Sequence, residues 1–394
     1  MLKYRIDQIF DVRYEYPVCF TRHAFEPANA VLAELIRVRA DDTKAHVLFA
    51  VDSGIVAARP EYIDAIEQYA AVYSDVFELV RPAWIVCGGE AAKQELNEIE
   101  TLYAHTKNFG LCRHSYVVAV GGGAVLDAIG YAAATAHRGI RLIRMPSTVL
   151  GQNDAGVGVK NAVNWHGRKN FVGTFAPPFA VVNDFDLLRS VPAADQRAGI
   201  AEAIKVALIR DRRFFDQLHR ARHALASLTP HEMEQMIVRC AELHLEQIRN
   251  SGDPFERGSA RPLDFGHWSA HKLEEISCHR LRHGEAVAIG IALDVLYSRR
   301  LDMIGDDVAD VIFTTLQDIG FELDDVALDE LDVEQALSDF REHLGGQMCI
   351  TLIKGIGEGI EVHSIDVDIM RDCISDLRSL QRSTQKLPPS EIHT

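Results

Sequence analysis

The sequence predicts an α/β protein, with an N-terminal Rossmann-like parallel sheet wrapped by helices and a mostly α-helical second half. From Ala45 to Met145, short β-branched runs alternate with longer helical stretches, the rhythm of βαβ units. After about Asp186 strand signals become rare and helical periodicity takes over. At 394 residues the chain exceeds one ordinary core. The expected division is therefore residues 1–186, residues 187–380 and a polar tail over 381–394.

The strands expected in the first half are His46–Val51, Ala83–Cys87, Ser115–Val120 and Arg141–Arg144, with helices at Glu61–Tyr73 and Ala91–Thr106. In the second half, helical patterns cover Ala193–Ile209, Pro230–Asn250, His267–Ser277, Gly284–Arg299 and Ile304–Ile319. A late β-hairpin is expected near Met348–Leu352 and Gly359–Ser364.

Composition narrows the function classes. With 47% hydrophobic and 25% charged residues the chain is that of a soluble globular protein, and no window is apolar for long enough to span a bilayer. The first residues, MLKYRIDQIFDVRYEYP, alternate polar with apolar side chains and lack a signal core and cleavage site, so a cytoplasmic location is expected. A net charge of -16 disfavours nucleic acid, and any anionic ligand must meet local positive charge. Seven cysteines stand singly with no CxxC pair, which predicts reduced thiols that mostly serve packing.

Three stretches carry candidate chemistry. Tyr116–Val120 runs into Gly121-Gly122-Gly123 and then a helical stretch, so backbone N–H groups at a helix N-terminus can approach a pyrophosphate; a plain βα turn is the alternative. Asp52 at the end of a strand, and Glu90 with Lys93 after another, extend that reading towards a ribose, or are surface turns. Pro146–Asn170 is a long glycine- and amide-rich segment in which Lys160, Arg168, Lys169 and Asn170 suit a phosphate and Asp154 a sugar hydroxyl; a solvated β-hairpin is the alternative. Glu202 and Lys205 share one helix face, as a surface pair would. His267 and His283 each stand beside a glycine at a helix start, and with Glu202 they compose a mixed N/O set suited to Zn²⁺ or a similar ion; singly, each histidine reads as a hydrogen-bonded structural residue.

Taken in order, VGGGAVLDAIGYAAATAHRGI, MPSTVLGQNDAGVGVKNAVNWHGRKN, AGIAEAIKVALIRD, LDFGHWSAHKLE and RHGEAVAIG resemble the consecutive signatures of the dehydroquinate synthase family of sugar phosphate cyclases. The resemblance covers roughly Asp52 to Gly290 and weakens beyond. It implies an NAD-binding N-terminal domain, a helical metal-binding domain and a substrate cleft between them. By position it implies Glu202, His267 and His283 as ligands of Zn²⁺ or Co²⁺, and Asp52, Glu90, Lys93, Gly122, Gly123, Asp127, Ser147 and Thr148 around NAD. Asp154, Lys160, Lys169, Asn170, Lys205 and His271 would line the substrate and its phosphate, and Arg138 would reach a neighbouring subunit's site in a homodimer. The implied reaction, that of a carbon–oxygen lyase, oxidises a hydroxyl transiently with NAD, eliminates phosphate, returns the hydride and closes a carbocycle by an intramolecular aldol step. Catalysis would fall to Asp154, Lys160, Lys205, His271 and Glu202.

The chain departs from that pattern where dehydroquinate synthases hold the substrate carboxylate. The arginine expected seven residues before the first metal histidine is Ala260, with Arg261 adjacent, and the asparagine expected three before it is Asp264, as in valiolone-forming relatives. A lysine expected on the long helix is His244, and the position of the lysine pair expected before the late hairpin falls near Arg341-Glu342-His343. The retained His271 differs from plain valiolone synthases. The expected substrate is thus a ketose phosphate without a carboxylate, sedoheptulose 7-phosphate first, giving a valiolone-type cyclitol ketone. The alternatives are 3-dehydroquinate synthase acting on 3-deoxy-arabino-heptulosonate 7-phosphate, an iron-type polyol dehydrogenase, and a catalytically inactive binding relative. The phosphate-type cluster at Lys160, Lys169 and Asn170 argues against a polyol dehydrogenase.

Overall fold

The structure is a computed structural model describing residues 4–37, 44–94, 96–166, 168–255, 263–278, 280–344, 346 and 348–384. Ala260 and Arg261 lie outside the described residues, as does 385–394.

The first half contains strands β1 (Val18–Thr21), β2 (Ala45–Asp52), β3 (Phe77–Leu79), β4 (Trp84–Val86), β5 (Tyr116–Gly121), β6 (Arg141–Pro146), β7 (Lys160–Trp165), β8 (Arg168–Phe175) and β9 (Ala180–Asp184). All but β7 and β8 join one parallel sheet in the order β1-β9-β6-β5-β2-β3, with β4 also paired to β2. The helices around it are α1 (Val31–Arg37), α2 (Ser53–Ala58), α3 (Tyr62–Val72), α4 (Asn97–Asn108) and α5 (Gly123–Thr135). The sheet is parallel because its strands are buried on both faces, which is why β2 reads as a near-continuous apolar run. Side chains alternate between two cores. Val47, Phe49 and Val51 pack with Ile36, Ile66 and Tyr69, while Leu48 and Ala50 pack with Leu102, Leu126 and Ile129 on the other face.

From β2 the chain winds outwards to β3 and β4, and from β5 it winds the other way to β6 and β9. The winding reverses between the C-terminal ends of β2 and β5, the crevice in which open α/β sheets bind ligands. Asp52 ends β2 there, and Gly121–Gly123 follow β5.

The second half contains α6 (Ala193–Arg210), α7 (Arg212–Ala226), α8 (Pro230–Asn250), α9 (His267–Ile276), α10 (His283–Arg300), α11 (Asp306–Ile319), α12 (Val333–His343) and α13 (Val367–Thr384), with the hairpin β10 (Ile350–Gly355) and β11 (Glu358–Val362). Helix α10 is the central one, buried almost continuously from Gly284 to Ser298. Among the described residues no helix is long and apolar enough to cross a membrane.

Several expectations change in detail. The stretch expected as one helix over Ala91–Thr106 is a 3₁₀ turn (Gly89–Lys93) and then α4, because Leu96 takes a left-handed backbone and Lys93 turns inwards. The segment from Pro146 to Asn170 is a π-helical turn (Gly151–Ala155) followed by the β7–β8 hairpin. A buried arginine explains its order: Arg144 on β6 donates to the carbonyls of Gly156, Gly158 and Lys160 and to Asn161 Oδ1. In the second half, helices α7, α12 and α13 have no counterpart among the expected helices, and α13 continues past residue 381 to Thr384. Of the cysteines, Cys240, Cys349 and Cys373 are buried, but Cys87, Cys112 and Cys278 are exposed, so packing accounts for only part of the set.

One buried carboxylate ties α10 to the start of α9. Asp294 accepts from Trp268 Nε1 and from Gly266 N, both at 2.8 Å. Burial pushes its carboxyl up to about 7, against the lowering effect of these two donors. The folded state therefore holds this proton more tightly than the unfolded chain does. The stabilisation is complete below the unfolded value near 4 and is lost as pH rises to about 7. Denaturant unfolding of the wild type and Asp294→Asn from pH 4.5 to 8 should show the wild type losing stability relative to the variant over that interval; parallel curves would contradict it.

Candidate functional site

Three helices bring the predicted cation ligands together. Glu202 on α6, His267 at the start of α9 and His283 at the start of α10 each offer one ligand atom, and these atoms lie within 4.8 Å of one another. Glu202 Oε1 stands 3.4 Å from His267 Nε2 and 3.2 Å from His283 Nε2. Tetrahedral ligands about 2.0–2.1 Å from a zinc ion are about 3.3 Å apart, which the two glutamate–histidine separations match. The convergence depends on glycine. A Cβ on Gly284 would overlap the carbonyl of Ala198 on α6, and one on Gly290 would overlap the carbonyl of Gly266, itself at φ +76°. The first approach sets the start of α10 against the helix that carries Glu202, and the second sets the start of α9 against α10.

The far nitrogen of each imidazole is engaged. His267 Nδ1 meets the carbonyl of Phe265 at 3.1 Å. His283 Nδ1 meets Glu274 Oε2 at 3.3 Å. Such partners fix ring orientation in metal sites. Glu274 was not singled out in the sequence, although it falls seven residues after His267 and three after His271, on one face of α9.

The electrostatics suit a cation. Burial alone would raise the Glu202 carboxyl, but Lys205 and the imidazoles more than offset it and hold it well below the usual range. Burial would lower His283, yet hydrogen bonds to Glu202 and Glu274 hold it at about 10. Glu274 is held at about 2: burial is outweighed by His283, Lys169 and His271. A divalent cation at the triad would take the place of the proton on His283. Glu202 and Lys205, which composition alone allows as a surface pair, form a buried ion pair on α6.

The other substrate candidates surround this centre. His271, one turn after His267, is exposed, its ring centroid 5.5 Å from that of His267 and 6.3 Å from that of His283. Asp154 lies in the π-helical turn with Oδ1 2.8 Å from His244 Nδ1 on α8. Burial would raise Asp154, but His244 and then Lys205 lower it on balance. Burial would depress the Lys205 ammonium, while Glu202, Asp154 and Asp264 raise it above its ordinary value. Lys160 opens β7, and Lys169 on β8 reaches Glu274 Oε1 at 3.7 Å. Near α12, Arg168 approaches Glu342 at 4.0 Å, which brings the region of Arg341-Glu342-His343 beside the hairpin.

A second network joins the hairpin to the glycine turn. Lys93 Nζ donates to Asp127 Oδ2 at 2.5 Å and to Asn170 Oδ1 at 2.7 Å. Asn164 Nδ2 donates to Glu90 Oε1 at 2.8 Å, and its Oδ1 accepts from Asn170 N at 2.9 Å. Asn164, between the two groups, was also missed in the sequence. Ser147 N bonds Gly121 O at 2.9 Å, and Thr148 Oγ1 accepts from Gly151 N, so both border the turn where Gly122 and Gly123 begin α5. Asp52 caps α2 through Gly54 N at 2.8 Å. The N-terminus of α5, open at the sheet's reversal point, fits a dinucleotide pyrophosphate. Arg138 is exposed in the turn between α5 and β6, at the opposite end of the strands from the glycine turn, and does not join this cluster.

Comparisons with known proteins agree with this arrangement. Residues 83–198 match the family described as 3-dehydroquinate synthase N-terminal, and residues 199–342 match 3-dehydroquinate synthase C-terminal. A 3-dehydroquinate synthase of Xanthomonas oryzae pv. oryzae (strain MAFF 311018) is 34% identical over 86% of this chain and 91% of its own length. A 2-epi-5-epi-valiolone synthase of Streptomyces glaucescens is 33% identical over 89% of this chain and 88% of its own. The structure of ValA, a 2-epi-5-epi-valiolone synthase from Streptomyces hygroscopicus subsp. jinggangensis 5008 with NAD+ and Zn2+ bound, superposes with a TM-score of 0.83 at 25% identity, covering 96% of this chain and 100% of that one.

Two substitutions test the construction. Glu274→Gln should weaken Zn²⁺ affinity about 10–100-fold in a chelator competition, by freeing the His283 ring. Gly284→Ala should weaken it at least as much with little change in helical circular dichroism. Unchanged affinity in both would show that neither feature sets the triad.

Proposed function

Because this chain belongs to the dehydroquinate synthase-like family of sugar phosphate cyclases, we propose that it converts a ketose phosphate without a carboxylate, first sedoheptulose 7-phosphate, to a valiolone-type cyclitol ketone with release of phosphate. The observation that carries this reading is the charge around Lys205. Glu202, Asp154 and Asp264 all act on that one ammonium, and His244 occupies the Asp154 side where the family pattern has a lysine. Glu202 and Asp154 are matched by Lys205 and by imidazoles, so the added anion is Asp264, which stands where the family pattern has an asparagine and which a substrate carboxylate would meet. At about 4 Å and an effective dielectric of about 20, each unmatched pair costs about 4 kcal/mol.

The chain's residues divide the work by position. Asp52, Glu90, Lys93, Asp127, Ser147 and Thr148 border the crevice that would hold NAD, with the backbone N–H groups of Gly122, Gly123 and the start of α5 available to a pyrophosphate. Glu202, His267 and His283 hold the cation, and Glu274 keeps the His283 ring turned towards it. Bound in these places, NAD would accept and return a hydride, and Zn²⁺ or Co²⁺ would polarise a substrate oxygen. Lys160, Lys169 and Asn170 receive the phosphate and stabilise its charge as it leaves. Lys205 stays protonated and orients substrate oxygens, the Asp154–His244 pair holds a sugar hydroxyl, and exposed His271 relays a proton at the cleft. Arg138, remote from its own cleft, serves a neighbouring subunit of a homodimer.

The similar identity to a 3-dehydroquinate synthase and to a valiolone synthase keeps the heptulosonate 7-phosphate reaction as a second reading. Purified protein with NAD and Zn²⁺ should release phosphate from sedoheptulose 7-phosphate without net NADH accumulation. Release from the heptulosonate alone would overturn the proposal, and accumulating NADH would favour a polyol dehydrogenase. Asp264→Asn should raise kcat/KM for the heptulosonate at least tenfold relative to the ketose phosphate.

A further inference from the structure

A cavity of about 290 Å³ lies in the helical half, between the first turns of α6, the turn before α10 and the segment after α11. It shares no lining residue with the candidate site. Its size is at the lower end for small-molecule pockets and exceeds what a lone ion needs. Ala198, Leu281 and Phe321 give it buried apolar walls.

The charged residues around this cavity are mostly matched, and the exceptions are informative. Arg280 holds Asp325 through two bonds of 2.8 and 2.6 Å. Arg378 stands 3.3 Å from Asp324, and Arg282 stands 3.3 Å from Glu285. Arg197 and Glu322 are left over. Among the described residues Arg197 makes one hydrogen bond, from Nη2 to the carbonyl of Ala226 at 3.4 Å, and its buried Nε has no partner. Its guanidinium lies against Gly320, where even a Cβ would stand 3.3 Å from Nε. A guanidinium fork held in this way is shaped for a carboxylate, and the first turn of α6, at Ala194, adds the positive end of a long helix. Glu322 is exposed and meets no cation among the described residues. It follows Gly320 by two residues, within about 7 Å of backbone. One unmatched cation and one unmatched anion therefore face the same space.

We propose that this cavity is an effector site for a free α-amino acid with an apolar side chain. The carboxylate pairs with Arg197, the ammonium turns to Glu322, and the side chain packs on Ala198, Leu281 and Phe321. A simple acid would leave Glu322 unanswered, and a simple amine would leave Arg197 so. The occupant bears on the cation triad through the walls it touches. Ala198 lines the cavity and carries the carbonyl against which Gly284 packs, and Glu285 lies two residues beyond His283. A ligand that biases how α6 meets α10 changes cation affinity, and the cation changes ligand affinity by the same factor. The inference needs the triad but no particular substrate, so failure of sedoheptulose 7-phosphate turnover would leave it standing.

Isothermal titration calorimetry of the full chain tests it, with L-leucine and L-phenylalanine as probes and with N-acetyl-L-leucine and 3-methylbutylamine as analogues lacking one charge. Wild type should bind at least one amino acid with Kd below about 1 mM, and each analogue about tenfold more weakly or worse. Arg197→Met and Glu322→Gln should both weaken binding by about tenfold or more, with circular dichroism unchanged; the exposed position of Glu322 keeps the second variant informative if the first folds poorly. In a chelator competition, saturating amino acid should change the Zn²⁺ affinity of wild type about fivefold or more and leave that of Arg197→Met unchanged. No binding to wild type, N-acetyl-L-leucine bound as tightly as L-leucine, undiminished binding to Glu322→Gln or to a folded Arg197→Met, or a Zn²⁺ affinity indifferent to the amino acid would overturn the proposal.

Discussion

The site depends on one buried carboxylate. Glu202 is 1% exposed and ionised, in surroundings where an isolated charge would be prohibitive. What makes it tolerable is convergence: Lys205 from its own helix, and imidazoles from the starts of α9 and α10. Those starts reach it because glycines at 266, 284 and 290 let three helix backbones approach within side-chain-free distance. Chemistry and packing therefore constrain the same helices, and the central α10 supplies both a ligand and much of the core.

The two halves of the cleft are linked through polar side chains. Lys93 and Glu90, beside the crevice at the sheet's reversal point, bond Asn170 and Asn164 of the β7–β8 hairpin. Arg144 pins the chain leading into that hairpin from beneath. Under the proposed function, positioning of the leaving phosphate would be tied to the loops that border the crevice at the sheet's reversal point, as a reaction using both in sequence requires.

The sequence made the architecture legible where periodicity was strong. The β2, β5 and β6 runs and helix α8 are found nearly where apolar patterning puts them. It failed where tertiary contacts override local preference. The inward turn of Lys93 breaks the helix expected over Ala91–Thr106, and of the two readings weighed for Pro146–Asn170 the hairpin is present, pinned by Arg144 at its entry. Glu202, His267 and His283 were legible as a set from motif order, because each lies in a short distinctive run. Glu274 and Asn164 were not, since a carboxylate on a helix and an amide on a strand carry no local mark of the partner they orient. The face pattern of α9, with His267, His271 and Glu274 at helical spacing, was the available signal.

The central claim is that Glu202, His267 and His283 hold one divalent cation at the cleft. Anomalous diffraction at the zinc edge from zinc-grown crystals tests it most directly. One peak per chain, about 2.0–2.2 Å from a Glu202 oxygen and from Nε2 of both histidines, is the predicted result. A chain without that peak, or with zinc held by other residues, would contradict the account.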